Sequence, residues 1–235
     1  MLGEERRRAV SFFAMLGVTA ALWWTVSRCE AFHDPLQSLP IYIISLKRRP
    51  ERLRACLAHL RRAGRAPGVH VIDAVDGLDL RDVGKTKLTR GEIGCFLSHL
   101  KTLDVIARSD APYGVVLEDD ARLGVSRRDL GMLIREAPRD VDVISLGCNA
   151  FPGPPHTRQV SERLHEFVDY DLYGAHAMIY SRRGAQALLR EATTKGFDVP
   201  YDYWLTQHGP ARLAVAHPPL ARPADVKDSE TQKTR

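Results

Sequence analysis

Three adjacent carboxylates, Glu118, Asp119 and Asp120, directly follow the short apolar run Gly114 to Leu117. Like charges placed side by side repel one another unless a cation or solvent compensates them. The run before them suits a strand buried on both faces, and in open α/β sheets ligands gather outside the carboxyl ends of strands, where this triplet would project. Hard oxygen ligands of this kind suit magnesium or manganese bridged to a substrate diphosphate. An acidic triplet also serves as a helix N-terminal cap or a solvated turn, and the residues alone leave both readings open.

Other candidates are less specific. Arg48 and Arg52 follow the first apolar run and carry the bidentate forks that match phosphate oxygens, though each is equally at home as a surface charge. Ser98 and His99 fall mid-helix with no nucleophile elbow around the serine, and neighbouring helix residues point in different directions, so a hydrogen-bonded structural histidine competes with a catalytic reading. His176 is a lone histidine in an apolar stretch and reads as structural. Asp198 and Asp202 flank Pro200 as a base or as caps. Gly77, Gly91 and Gly94 make neither G-x-G-x-x-G nor a P-loop, which counts against dinucleotide and Walker-type sites. The cysteines at 29, 56, 95 and 148 show no C-x-x-C spacing, which excludes a zinc ribbon or a dithiol redox motif.

The elements that must position these groups alternate. Ile41 to Leu46 predicts a buried strand; after Pro50, Leu53, Leu57 and Leu60 recur at helical spacing up to Gly64; Val69 to Val75 predicts a second strand, ended by the turn signal Asp76-Gly77. Thr89-Arg90-Gly91-Glu92 is a capping box that opens a helix whose buried face is Ile93, Phe96, Leu97, Leu100, Leu103 and Ile106. A second capping box, Ser126 to Asp129, precedes a helix over 130–135, and 141–147 is a further strand. Residues 149–168 hold enough turn formers to predict a long loop. Residues 175–181 predict a strand, 183–195 a helix stopped by Gly196, and 201–207 a short helix. Strand, helix and strand in succession imply parallel pairing.

The 235 residues carry 34 Lys and Arg against 29 Asp and Glu, 44% hydrophobic and 27% charged, which excludes disorder, collagen-like repeats and a polytopic membrane protein. The positive excess is concentrated: Lys47, Arg48, Arg49, Arg52, Arg54, Arg61, Arg62 and Arg65 face only Glu51. Such a stretch is either a solvated helix face or a contact for phosphates or headgroups. No zinc-finger, RRM or KH signature accompanies it, which counts against nucleic acid.

Residues 9–27 contain no charge, follow Arg6, Arg7 and Arg8, and carry Trp23 and Trp24 near their far end. Nineteen residues at about 1.5 Å each just cross a hydrocarbon core of about 30 Å. The basic triplet stays cytoplasmic by the positive-inside rule, giving a single-pass type II signal anchor. A cleaved signal peptide is the competing reading, with an apolar stretch longer than usual and no small-x-small cleavage site. The expected layout is a cytoplasmic tail at 1–8, an anchor at 9–27, a linker at 28–40, one α/β domain at 41–222 and a polar tail at 223–235.

Four ordered segments resemble glycosyltransferase family 25: Ile43-Ile-Ser-Leu-Lys-Arg-Arg-Pro-Glu-Arg52, Asp73-Ala-Val-Asp-Gly77, Leu88 to Cys95 with Leu97-Ser-His99, and Val116-Leu-Glu-Asp-Asp-Ala121. Later blocks at 143–147, 177–185 and 200–202 extend the resemblance over about residues 41–208. That family includes lipooligosaccharide β-galactosyltransferases and collagen hydroxylysine galactosyltransferases. The resemblance implies a GT-A-type, Rossmann-like nucleotide-sugar fold with a mostly parallel central sheet. It also implies an inverting hexosyl transfer, from UDP-galactose or UDP-glucose to a glycan, lipooligosaccharide or hydroxylated side chain, with manganese or magnesium. By the same resemblance Glu118-Asp119-Asp120 takes the place of the D-x-D motif, with Asp120 and Glu118 toward the metal, Glu118 nearer the ribose and Asp119 in support. Arg48 and Arg52 become nucleotide or diphosphate contacts; Glu92, Ser98 and His99 line the donor pocket or hold the acidic loop; Asp202 is the candidate base. Two departures, Met178 where the family often has tyrosine and a short stretch between Gly147 and Tyr173, fall on the expected acceptor side. A sugar- or partner-binding relative without turnover and a sugar nucleotidyltransferase are the alternative readings.

Overall fold

Ile41–Ser45 (β1) and Tyr113–Glu118 (β3) form the centre of the molecule because almost every side chain on them is apolar and has somewhere to be buried. The computed structural model describes residues 36, 39–64, 68–153 and 156–224. Val69–Asp73 (β2) pairs parallel with β1 on its outer side, and β1 pairs parallel with β3. The crossover from β1 to β2 is Pro50–Arg62 (α1), with its proline in the first turn, where a missing N–H costs nothing. Arg90–Arg108 (α2) leads into β3 and opens on the reciprocal cap between Thr89 and Glu92.

The second half adds Ala121–Leu123 (β4), Arg127–Glu136 (α3), Val141–Ser145 (β5), Thr157–Gln159 (β6), Leu164–Phe167 (β7) and Ala177–Ser181 (β8). Arg182–Lys195 (α4), Tyr201–Gln207 (α5), Arg212–Ala216 (β9) and Ala221–Pro223 (β10) complete it. The main sheet has the order β2-β1-β3-β8-β5-β9-β7-β6, and β4 pairs with β10 apart from it. β7 and β8 run against the direction shared by the other six strands of the main sheet, so the sheet is mostly parallel in direction while β8 sits antiparallel between β3 and β5.

Period-2 alternation along β1 divides the core into two layers. Ile41 and Ile43 join Leu60, Val115, Leu117, Leu130 and Leu133 on the side of α1 and α3. Tyr42 and Ile44 join Phe96, Leu103, Val116, Tyr180, Leu188 and Trp204 on the side of α2, α4 and α5. A fully buried Leu or Ile contributes about 1.5–3 kcal/mol relative to exposure, so either layer alone outweighs any surface ion pair. Met178 is fully buried in the second layer.

Three expectations are corrected. Residues 149–168 are not a continuous loop: β6 and β7 form a hairpin that extends the sheet beyond β9. β7 buries Leu164 and Glu166 on alternate positions, and a buried glutamate breaks the apolar rhythm by which a strand is recognised; Arg158 and Arg212 pair with that carboxylate and make its burial tolerable. The strands expected at 41–46, 69–75, 141–147 and 175–181 are each shorter, at Ile41–Ser45, Val69–Asp73, Val141–Ser145 and Ala177–Ser181. Within the expected linker, Leu39 is buried and Leu36 packs on the same core layer. No helix among the described residues is long and apolar enough to cross a membrane. The expected anchor at 9–27 and tail at 1–8 lie outside the described residues.

Candidate active site

β1, β2 and β3 end together, and the loops that leave them meet the first turns of α2 around a cleft. Its wall includes Arg48, Arg52, Asp76, Gly77, Cys95, Ser98 and His99 as well as Glu118, Asp119 and Asp120. The cleft depends on close backbone approach. A Cβ on Gly77 would lie 1.9 Å from the Arg90 carbonyl oxygen, and one on Gly94 would lie 2.7 Å from the Val75 carbonyl oxygen. The glycines that fit no nucleotide motif are therefore what lets the loop after β2 lie on α2.

The triplet stands where β3 leaves the sheet. The Glu118 amide donates to the His176 carbonyl oxygen at 2.8 Å, and the Asp120 carbonyl oxygen accepts from the Ala224 amide at 2.7 Å, so both ends are held by residues that flank β8 and β10. Asp119 turns inward, 5% exposed, and accepts from the Ser45 hydroxyl at 2.7 Å. Arg52 Nη2 lies 2.7 Å from Asp119 Oδ1 and 2.7 Å from Asp120 Oδ2, bridging the two carboxylates. Glu118 turns toward α2, where His99 Nε2 lies 3.2 Å and Cys95 Sγ 3.9 Å from its Oε1.

These contacts push the carboxyl groups apart. Burial, then the Glu118 charge beside it, raises Asp120 to about 7 against the pull of Arg52. Burial also opposes ionisation of Glu118, but the hydrogen bond and charge of His99, with Arg52, outweigh it and hold Glu118 below its ordinary value. Asp119 is raised, chiefly by burial. Two carboxyl groups separated in this way by their surroundings are the usual mark of a site where charge is handled.

The residues fit a divalent cation. Three carboxylates against Arg52 leave a net deficit that one such ion would balance, and Asp120 Oδ1 is buried with no hydrogen-bond partner among the described residues. Glu118 and Asp120 are the expected ligands. Among the described residues, though, the three groups whose donor atoms converge within 4.8 Å are Cys95, His99 and Glu118.

The remaining expected site residues separate into two groups. His99 is in the cleft, 1% exposed, its ring stacked on Tyr201 at 4.2 Å. Arg48 lines the cleft and pairs with Asp76 at 2.5 Å, and Arg52 is committed to the acidic triplet. Ser98 spends its hydroxyl on the main chain, donating to the Gly94 carbonyl oxygen at 2.6 Å and accepting from the Val75 amide at 2.8 Å. Glu92 caps α2, accepting from the Thr89 amide at 2.7 Å, and is not part of the cleft wall. Asp202 lies on α5, where it accepts from the Gly174 amide at 2.7 Å and the Tyr203 amide at 3.0 Å; burial raises its carboxyl against those bonds, and the charge on Glu118 raises it further. Sequence reasoning passed over Ser45, Asp76 and Cys95. Only Cys95 left a signal, its place four residues before His99 on one helix face.

Residues 38–152 match the model of glycosyltransferase family 25, described as an LPS biosynthesis protein family. Procollagen galactosyltransferase 1 of Danio rerio is 35% identical over 123 residues, covering 50% of this chain and 20% of that protein. Inactive glycosyltransferase 25 family member 3 of Homo sapiens is 35% identical over 103 residues, covering 35% of this chain and 16% of that protein. The chain thus spans a fifth or less of the length of these two relatives. Among solved structures it is similar to a glycosyltransferase involved in glycosylation of the major capsid of PBCV-1, at 8% identity and a TM-score of 0.42, covering 75% of this chain and 80% of that one.

Proposed function

From a chain that belongs to glycosyltransferase family 25 through residues 38–152, we propose an inverting hexosyltransferase of GT-A type that moves galactose or glucose from a UDP-sugar to a hydroxyl of a glycan, lipooligosaccharide or hydroxylated side chain. The observation that carries this reading is the acidic triplet at the end of β3, in a cleft, with Asp120 raised and Glu118 lowered. Glu118 and Asp120 would hold manganese or magnesium. Such an ion, when bound, neutralises charge developing on the departing diphosphate.

The chain's own residues do the rest. Arg52 fixes the rotamers of Asp119 and Asp120 so that the free oxygen of Asp120 stays in place. Ser45 holds Asp119 from behind, and Ser98 fixes the Val75 end of the loop that closes the donor side. Arg48, on the cleft wall, presents a guanidinium to a diphosphate. Asp202, raised by burial and held by two amides, takes the acceptor proton as the candidate base. The uncharged stretch 9–27 anchors the chain as a single-pass type II protein, and the expected outcome of carbonate washing is that the full chain stays with the membrane pellet.

A second reading, sugar or partner binding without turnover, is favoured by one observation: Arg52 occupies the oxygens of two triplet carboxylates. The test is UDP release by the purified full-length chain from a panel of UDP-sugars, with manganese, with magnesium and with EDTA. Metal-dependent release from one sugar, abolished by Asp120→Ala, supports transfer. UDP binding without release under every condition supports the second reading, and release that is indifferent to EDTA removes the metal from the mechanism.

A further inference from the structure

Cys95 and His99 stand one helical turn apart on α2, so both side chains present to the same side, and that side meets Glu118 at the end of β3. One sulfur, one nitrogen and one oxygen, from three residues on two rigid elements, lie within 4.8 Å of one another. A contraction of about an ångström would bring them to the edges of a tetrahedron built on zinc–ligand bonds of about 2.0–2.3 Å. We propose that Cys95, His99 and Glu118 form a binding site for a thiophilic divalent cation, of the zinc and cobalt class, with its fourth position open to the cleft.

Charge and preorganisation support this donor set. A thiolate and a carboxylate balance a 2+ ion while the imidazole stays neutral, the arrangement that costs least in a partly buried site. The His99 ring is already held by its stack on Tyr201 at 4.2 Å and 17°, so little side-chain entropy remains to be lost. Asp119 and Asp120 share the guanidinium of Arg52, whereas the side chain of Glu118, among the described residues, meets the Cys95 thiol and the His99 imidazole. When the ion binds, the Cys95 S–H proton leaves to solvent and the imidazole proton sits on Nδ1, freeing Nε2 as the ligand.

The site is distinct from the all-oxygen pair of Glu118 and Asp120. Sulfur and imidazole donors select zinc or cobalt over manganese or magnesium. Glu118 belongs to both, so an ion seated on Cys95 and His99 withdraws it from the oxygen pair, and zinc is expected to oppose manganese in this cleft. The proposal concerns the same cleft as the transfer reaction but does not require that reaction to occur.

Titration of the metal-free, full-length chain with cobalt(II) tests it without any activity measurement. The expected result is a sulfur-to-cobalt charge-transfer band in the near ultraviolet with intense visible bands of four-coordinate cobalt, bleached by equimolar zinc and untouched by manganese. Cys95→Ser should abolish the charge-transfer band while Cys56→Ser and Cys148→Ser keep it. By competition, Cys95→Ser and His99→Asn should each weaken zinc binding by about 10- to 100-fold or more, and Asp120→Asn should change it little. A wild-type spectrum with no charge-transfer band overturns the proposal, as does a band that survives Cys95→Ser. An Asp120→Asn loss as large as that of His99→Asn would place the ion on the oxygens and overturn it too.

Discussion

Asp120 carries a carboxyl that its surroundings disfavour as an anion. In the metal-free protein its carboxyl is raised from 3.8 to about 7 by burial and by Glu118. The folded state therefore holds a proton that the unfolded chain has released between those values. Stability should then fall as pH rises from about 4 to about 7, with the penalty absent below that window and complete above it. Urea unfolding of metal-free wild type and Asp120→Asn at both ends should show the variant gaining on wild type at pH 8 and not at pH 4; equal pH dependence would show that the burial of this charge is compensated. Asp202 makes a different prediction. Its two oxygens accept from the Gly174 and Tyr203 amides, and it is not among the residues that line the cleft. Asp202→Asn should lower kcat for transfer by two orders of magnitude or more, within the range of about 10²–10⁴ for a general base, and leave the donor KM near wild type. A raised donor KM with kcat unchanged would assign it to binding. At this scale the sequence was informative about which side chains carry charge and uninformative about what each one touches. Glu92 and Ser98 share a motif with His99, yet their polar atoms are spent on a helix cap and a loop amide, and nothing in residue type distinguishes those uses from contact with a substrate.

Among the elements, α2 has the most demanding placement. It starts on a capping box, carries Cys95, Ser98 and His99, and accepts the loop after β2 against Gly94. Gly94→Ala would place a Cβ 2.7 Å from one backbone atom and 2.8 Å from another. Neither is the tip of a flexible side chain, so the loop must retreat. The expected cost is about 1–3 kcal/mol, seen as a lower thermal midpoint together with weaker UDP binding by calorimetry; a lower midpoint with unchanged binding would mean that the helix moved instead of the loop. β7 depends on charge. Burial works against ionisation of Glu166, but hydrogen bonds from Arg212 and Arg158 outweigh it and hold the carboxyl below its ordinary 4.5. The stability this provides is present above that value and lost as pH falls through the folded one. Glu166→Gln should therefore flatten the acid limb of the unfolding curve, and an unchanged limb would show that the hairpin docks without it. Both capping boxes were legible because their partners lie three residues apart in the chain. The β6–β7 hairpin was not, since the arginine that permits a buried glutamate comes from residue 212, far along the sequence.

Across the whole molecule, the first half follows a strand-helix-strand order that apolar runs and turn residues announce, and the family segment at 38–152 coincides with it. The second half keeps the alternation but breaks the rule of direction. Apolar runs mark β8 as a strand without saying that it enters reversed between β3 and β5, because pairing across 60 residues leaves no local trace. That inserted strand limits how the gene can be divided. A fragment ending at residue 152 would carry β3 and β5 as two exposed edges with nothing between them, and Glu118 would lose the carbonyl that receives its amide. The segment by which kinship is recognised is therefore shorter than the segment that must be inherited together, and recombination or truncation between residues 152 and 177 should yield aggregating products rather than a smaller folded unit.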